Sequence, residues 1–265
     1  MSEIFHYCDT GALHGILTSK SLWASEIFGL NDASEVDYAR QATCEALSAF
    51  SELSPVREKF LDERLFLETY RGWNTYVCCF SAGGDLLSQW RAYGAQGNGY
   101  AIGFNPAVLK KEGDTSPPKL SVFPMLYPRD QQVCTLRDFL AETMQIEGLR
   151  DLLRSHPQET FLEIAMALLI MMAPLKNPLF DDEREWRIMI VEDEPDSQYK
   201  LFFRPIRGAI VPYVKVPLKP ECFTRIVQGP TTHKEFGERS LQLFLRQNGL
   251  GHINVESSGI PLRSL

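Results

Sequence analysis

Residues 75–104, TYVCCFSAGGDLLSQWRAYGAQGNGYAIGF, constrain this chain most, because two strand-like runs are joined there by a connection far richer than a turn requires. Thr75 to Phe80 is β-branched, aromatic and cysteine-containing, Gly99 to Phe104 is short and apolar, and glycines bound both runs. A linker that only reversed the chain would need Gly, Asn and Asp, whereas this one carries Ser88, Gln89, Trp90, Arg91 and Tyr93. Two aromatic faces, a guanidinium and two neutral hydrogen-bonding groups suit a flat, polar or phosphorylated ligand. The same residues also suit a plainer arrangement, in which Trp90 and Tyr93 cap a core and Arg91 pairs with a surface carboxylate.

The rest of the chain can bury a sizeable core. With 265 residues and 44% hydrophobic content, a single domain over 1–265 with helical insertions at 33–72 and 135–173 is expected. A formal net charge of −7 argues against an extended nucleic-acid or anionic-membrane surface and favours a small partner, while leaving room for a local basic pocket. The opening MSEIFHYCDTG is too short and polar for a secretory leader, so a cytoplasmic protein is expected. Cysteines at 8, 44, 78, 79, 134 and 222 form no CxxC pair and no zinc spacing, and read as reduced, mostly buried thiols.

In chain order, Ile4 to Tyr7 reads as a first strand carrying His6, followed by an Asp9 or Thr10 cap and the helical spacing Leu13, Ile16, Leu17. His6 is either a satisfied structural histidine or a neutral imidazole that holds a ribose hydroxyl. Ser21 to Phe28 reads as extended, and Asp32 with Glu35 stands at capping-box spacing. From Glu35 to Gly72 two helices are expected, broken at Pro55, and Leu120 to Tyr127 reads as a strand. Thr135 to Ser155 is amphipathic; Phe161 to Met172 is apolar nearly all round, which predicts a helix buried against the sheet. With Glu163 inside it, that run is too short to span a bilayer. Strands follow over Leu201 to Phe203, Gly208 to Val216 and Phe223 to Gln228, and Thr231, Thr232 and Glu235 cap a last helix from His233.

DDEREWRIMIVED, residues 181–193, is the second stretch with chemical content. Strand alternation from Arg184 to Val191 would line Glu183, Glu185, Arg187 and Met189 along one face, the two carboxylates about 7 Å apart. Such a pair can share a ligand or raise each other's pKa; it can equally be a solvated strand end with Glu185 and Arg187 in a weak surface pair.

Together, HY near the N-terminus, SLWAS, LND, CFS with SQWRAYG, GYAIGF, EREWR and RGAIVPYV resemble an uncharacterised bacterial domain-of-unknown-function family. That family in turn resembles the ADP-ribosyltransferase superfamily. The resemblance implies an α+β fold whose mixed central sheet has a split core, with NAD as substrate and no metal. It also implies a macromolecular acceptor, or water, in a toxin or phage-defence setting that leaves room for an inhibitor or partner protein. In such enzymes a first-strand His or Arg holds the adenosine ribose, a second-strand Tyr or Ser lies by the nicotinamide, and a late-strand Glu serves the ribose and the acceptor. His6, Ser88 with Tyr93 or Tyr100, and Glu185 stand in that order, and Glu183-Arg184-Glu185 is similar to the E-x-E of the arginine-modifying branch.

Bond chemistry suits these residue types. Cleavage of the nicotinamide–ribose bond develops positive charge on the sugar, which a carboxylate such as Glu185 stabilises. Glu183 would orient or deprotonate the acceptor, Trp90 or Tyr93 would stack on a ring, and Arg91 or Arg187 would hold the pyrophosphate. Tyr7, Gln89 and Tyr100 complete the expected cofactor-binding set. Two alternatives stand beside this: a non-catalytic nucleotide- or protein-binding module of a defence system, and a nuclease using Asp181, Asp182, Glu183 and Glu185 around Mg²⁺.

Overall fold

The apolar and polar periods read above become twenty regular elements, in a computed structural model that describes residues 3–29, 34–71, 74–111, 119–192, 200–206, 208–230 and 234–261. In order they are β1 (Ile4–Cys8), α1 (Thr10–Ser19), β2 (Ser21–Glu26), α2 (Glu35–Leu47), α3 (Ser54–Leu61), α4 (Glu63–Arg71), β3 (Asn74–Ser81), α5 (Leu87–Ala92), β4 (Tyr100–Phe104) and α6 (Pro106–Lys111). Then come β5 (Lys119–Pro124), α7 (Arg129–Thr143), α8 (Leu149–Ser155), α9 (Pro157–Met172), β6 (Glu185–Glu192), β7 (Phe202–Ile206), β8 (Ala209–Pro217), β9 (Phe223–Gln228), α10 (Lys234–Gln247) and β10 (Asn254–Ser257). The fold is α+β with one mixed sheet. Asp32, Thr231 and Thr232, read as capping positions, and His233, read as the start of the last helix, lie outside the described residues.

The chain divides into two units. The first comprises Met1–Gly29, Thr75–Pro124 and Asp182–Leu265, and holds a ten-stranded sheet in the order β10-β9-β4-β1-β3-β2-β8-β7, with β6 paired to β3 and β5 paired to β6. Only β9 with β10 is parallel in the described registers; β1 with β4, β4 with β9, and β2 with β8 are antiparallel. Leu13, Ile16 and Leu17 of α1 and Leu241 and Leu245 of α10 cover Ile4, Ile102, Ile188 and Ile226, which makes this face the main core. Asp9 starts α1 by accepting from the Ala12 N–H at 2.7 Å, and Lys20 ends it in a left-handed conformation at φ 48°. Register between β1 and β3 is limited to Phe5 with Ser81, so the sheet is thinly joined at that seam.

The second unit, Leu30–Asn74 with Met125–Asp181, is helical. Three helices, not two, occupy 35–71, because Pro55 sits in the first turn of α3, where its missing N–H costs nothing, and the break falls before it. The expected helix over 135–155 is likewise two, parted at Gly148 with φ +79°. α9 was expected to be buried all round against the sheet. Within its unit it packs on α2, α3 and α8, burying Ile164, Ala165 and Leu168, and it is not buried all round, since Leu162 is 53% exposed. Gln132 ties the unit together: its amide N–H groups donate to the carbonyls of Leu126 at 2.6 Å and Lys176 at 2.8 Å, and its carbonyl accepts from the Tyr38 hydroxyl at 2.9 Å.

Candidate functional site

β6 starts where the chain is forced through an unusual turn. Arg184 has φ 44°, a left-handed conformation that a residue with a Cβ adopts only when its surroundings require it. Two bonds from the end of β3 hold it: the Ala82 N–H donates to the Arg184 carbonyl at 2.8 Å, and the Ser81 hydroxyl donates to the Glu183 carbonyl at 2.7 Å. Strand alternation therefore begins at Glu185, and Glu183 belongs to the preceding 3₁₀ turn, Pro178–Glu183, rather than to the face of Glu185. That corrects the expected line of carboxylates.

Glu185 and Arg187 do share a face, and both are buried, at 5% and 2% exposure. Arg187 donates from Nε to Oε1 at 2.6 Å and from Nη2 to Oε2 at 3.1 Å, a fork that fixes the orientation of the carboxylate. A weak surface pair it is not: removing one partner of a buried pair costs about 3–5 kcal/mol. The thiol of Cys79 hydrogen-bonds to Glu185, and burial, then the Glu185 charge, pushes its pKa well above the ordinary thiol value. The raised pKa suits Cys79 to its place as donor to Glu185.

His6 meets the same residue of β3 from the other side. Its Nδ1 lies 2.9 Å from the Cys79 carbonyl, which can only accept, so Nδ1 carries the proton and Nε2 the lone pair. Burial, with the Arg204 guanidinium adding to it, lowers the His6 pKa against the opposing pull of that carbonyl. The ring touches Phe80 edge-on at 5.7 Å and lies 3.9 Å from the Cys78 sulfur. Since Cys78 and Phe80 point opposite to Cys79 on a strand, His6 and Glu185 lie on opposite sides of β3.

The central connection splits into core and surface. Trp90 is fully buried among Phe5, Tyr7, Ala101 and Val227, and its indole N–H donates to Asp85 at 2.7 Å. At 0% exposure it has no free face on which a ligand could stack. Gln89 is buried beside it, while Ser88 and Arg91 are exposed on the outer face of α5 and Tyr93 is 41% exposed. The Tyr7 hydroxyl donates to the Gly83 carbonyl at 2.8 Å and accepts from the Leu86 N–H at 3.0 Å, which pins the loop before α5. Burial raises the pKa of Tyr7 and of Tyr100. Tyr100 lies in β4 opposite Cys8 and Gln228. Gly99 precedes it because a Cβ there would stand 2.2 Å from the Cys8 carbonyl.

Asp85, Cys79 and Arg204 were not singled out from sequence. Asp85 accepts from Trp90, from the Ser258 hydroxyl at 2.6 Å and from the Gly259 N–H at 2.9 Å, a role no spacing announces. Among the described residues no group of three or more His, Cys, Asp or Glu side chains could hold a metal, and Asp181 and Asp182 are exposed away from the buried Glu185.

Part of this geometry lies in a segment that matches a family model. Residues 89–188 match the family model described as protein of unknown function, DUF2971. The DUF2971 match takes in Gln89, Trp90, Arg91, Tyr93, Tyr100, Glu183, Glu185 and Arg187. No curated protein and no solved structure matches the chain. Among the described residues no helix is long and apolar enough to cross a membrane.

Proposed function

We propose that the chain acts on NAD or a related nucleotide, cleaving the bond from ribose C1′ to the nicotinamide nitrogen and passing ADP-ribose to a macromolecular acceptor or to water. The state of Glu185 carries this reading: a carboxylate at the head of a core strand, forked by Arg187 and screened from water, is oriented before any ligand arrives. The electron pair of the broken bond leaves with nicotinamide, and Glu185 faces the positive charge that develops on the ribose. Glu183, half-buried at the adjoining turn, orients the acceptor, and the exposed Arg91 and Tyr93 take the diphosphate and a ring. His6, across β3, positions Cys79 and through it Glu185, in place of holding the same ribose.

A second reading, a non-catalytic nucleotide- or protein-binding module, draws on the same pair, since Arg187 already engages both oxygens of Glu185. Incubation with labelled NAD and cell lysate, scoring nicotinamide release and label transfer separately, decides between them. Glu185→Gln is expected to lower turnover by roughly 10² or more with ligand affinity changed only a few fold, the scale for lost transition-state electrostatics. Unchanged nicotinamide release in that variant removes Glu185 from the chemistry. Nucleotide affinity without turnover in the wild type favours the binding module.

A further inference from the structure

A second cluster lies on the sheet face formed by β2, β8 and β7. Leu22 and Ala24 of β2 point into the main core, so Trp23 and Ser25 point the other way. Register places Lys215 opposite Trp23, Tyr213 opposite both Ser25 and Phe202, and Arg204 opposite Val211. Three rings then stack across three strands: Trp23 on Tyr213 with centroids 4.4 Å apart at 24°, and Tyr213 with Phe202 at 5.5 Å and 26°. Trp23 ends the stack with 44% of its surface open.

Cations surround these rings. Lys215 Nζ lies 4.4 Å from the Phe202 centroid, Lys200 Nζ 5.5 Å from the same ring, and the Arg204 guanidinium 5.9 Å from Trp23. None of the three pairs with a carboxylate among the described residues. Arg204 donates one N–H to the Ser25 hydroxyl at 2.6 Å, while its Nε is buried and lacks a partner. Among the described residues, three cations gathered over one aromatic row form a local positive spot on a chain of net charge −7.

We propose that this face binds single-stranded nucleic acid, with a base stacked on Trp23 and backbone phosphates held by Lys200, Lys215 and Arg204. Tyr213 is buried and Phe202 half-buried, so the row is open only at Trp23, whose exposed ring beside the cations offers one stacking position of the kind unpaired bases use without regard to sequence. A duplex hides its base faces and carries denser charge, which the acidic remainder of the chain repels. These observations are independent of the nucleotide-cleavage reading and survive its failure.

The test is fluorescence anisotropy of the full chain with a labelled oligothymidine of about ten nucleotides, within the span of common single-strand sites. Unlabelled duplex, thymidine monophosphate and inorganic polyphosphate serve as competitors. Binding of the oligonucleotide in preference to all three is expected. Trp23→Leu should weaken it at least about fivefold, the low end for loss of one stacked base. Lys215→Gln should lower the slope of log affinity against log salt by about 0.7, one phosphate contact. No binding by the wild type, equal capture of duplex, mononucleotide or polyphosphate, or undiminished affinity in Trp23→Leu overturns the proposal. If Trp23→Leu does not fold, the double change Lys200→Gln with Lys215→Gln decides alone, and an unaltered salt slope overturns it.

Discussion

Gln132 and Gln228 are both fully buried amides, and they show how little a residue's name says about what burial does to it. Gln132 spends its polar atoms on the carbonyls of Leu126 and Lys176 and the hydroxyl of Tyr38. Gln228, at the end of β9, has neither amide atom partnered. An unpaired buried amide costs roughly 1–3 kcal/mol, so Gln228→Met, close in volume and without the polar atoms, is expected to stabilise the fold by about that amount. Urea unfolding of the two proteins measures it, and a destabilised Gln228→Met would mean that the amide finds a partner in solution. Neither fate was legible in sequence, since both depend on groups tens of residues away. The central connection was ambiguous for the same reason: SQWRAYG suits ligand contact or core capping equally, and only Phe5, Tyr7 and Val227 meeting over Trp90 decides.

Elements were more legible than their joints. β1, α1, β3, β4, β6 and β9 lie where alternation, helical spacing and glycine punctuation place them, because those signals are local. Errors cluster where one residue changes the phase. Arg184 turns left-handed under two bonds from β3 and takes Glu183 off the face of Glu185; Gly148 divides one expected helix into two. The seam between β1 and β3 was invisible, and His6 fills it with a single donor to the Cys79 carbonyl. With its pKa lowered from 6.5, folded His6 stays neutral where the unfolded chain takes up a proton. Its contribution is therefore full above about pH 6.5 and is lost as pH falls through the lower folded value. His6→Asn, which keeps a donor near Nδ1 and cannot titrate, is expected to flatten the fall in unfolding free energy as pH drops below about 6.5. An identical slope in both proteins would assign the acid sensitivity to another group.

For the whole molecule, the order His6, then Tyr93 or Tyr100, then Glu185 along the chain carried the functional reading, yet chain order does not fix sides of a strand. Folding brings His6 and Glu185 to one residue, Cys79, from opposite sides of β3, and separates Trp90 from the neighbours it was grouped with. What remains outward on α5 is Ser88 and Arg91, with Tyr93 beyond its end. Trp90 and Arg91 are adjacent in sequence and opposite in consequence, which makes them a paired test. Trp90→Ala opens a cavity among Phe5, Tyr7 and Val227 and should cost about 3–5 kcal/mol whatever ligand is present. Arg91, exposed and without a partner among the described residues, should change stability by less than about 0.5 kcal/mol when cut to Ala. A ligand at one hundred times its Kd stabilises the folded state by about 2.7 kcal/mol, because only that state binds it. If Arg91 holds the diphosphate, Arg91→Ala melts with the wild type in buffer and loses most of the shift that NAD or ADP-ribose gives it. Thermal melts of the three proteins with and without nucleotide read both effects, and a full ligand shift in Arg91→Ala takes that guanidinium out of the site while leaving the assignment of Trp90 to the core untouched.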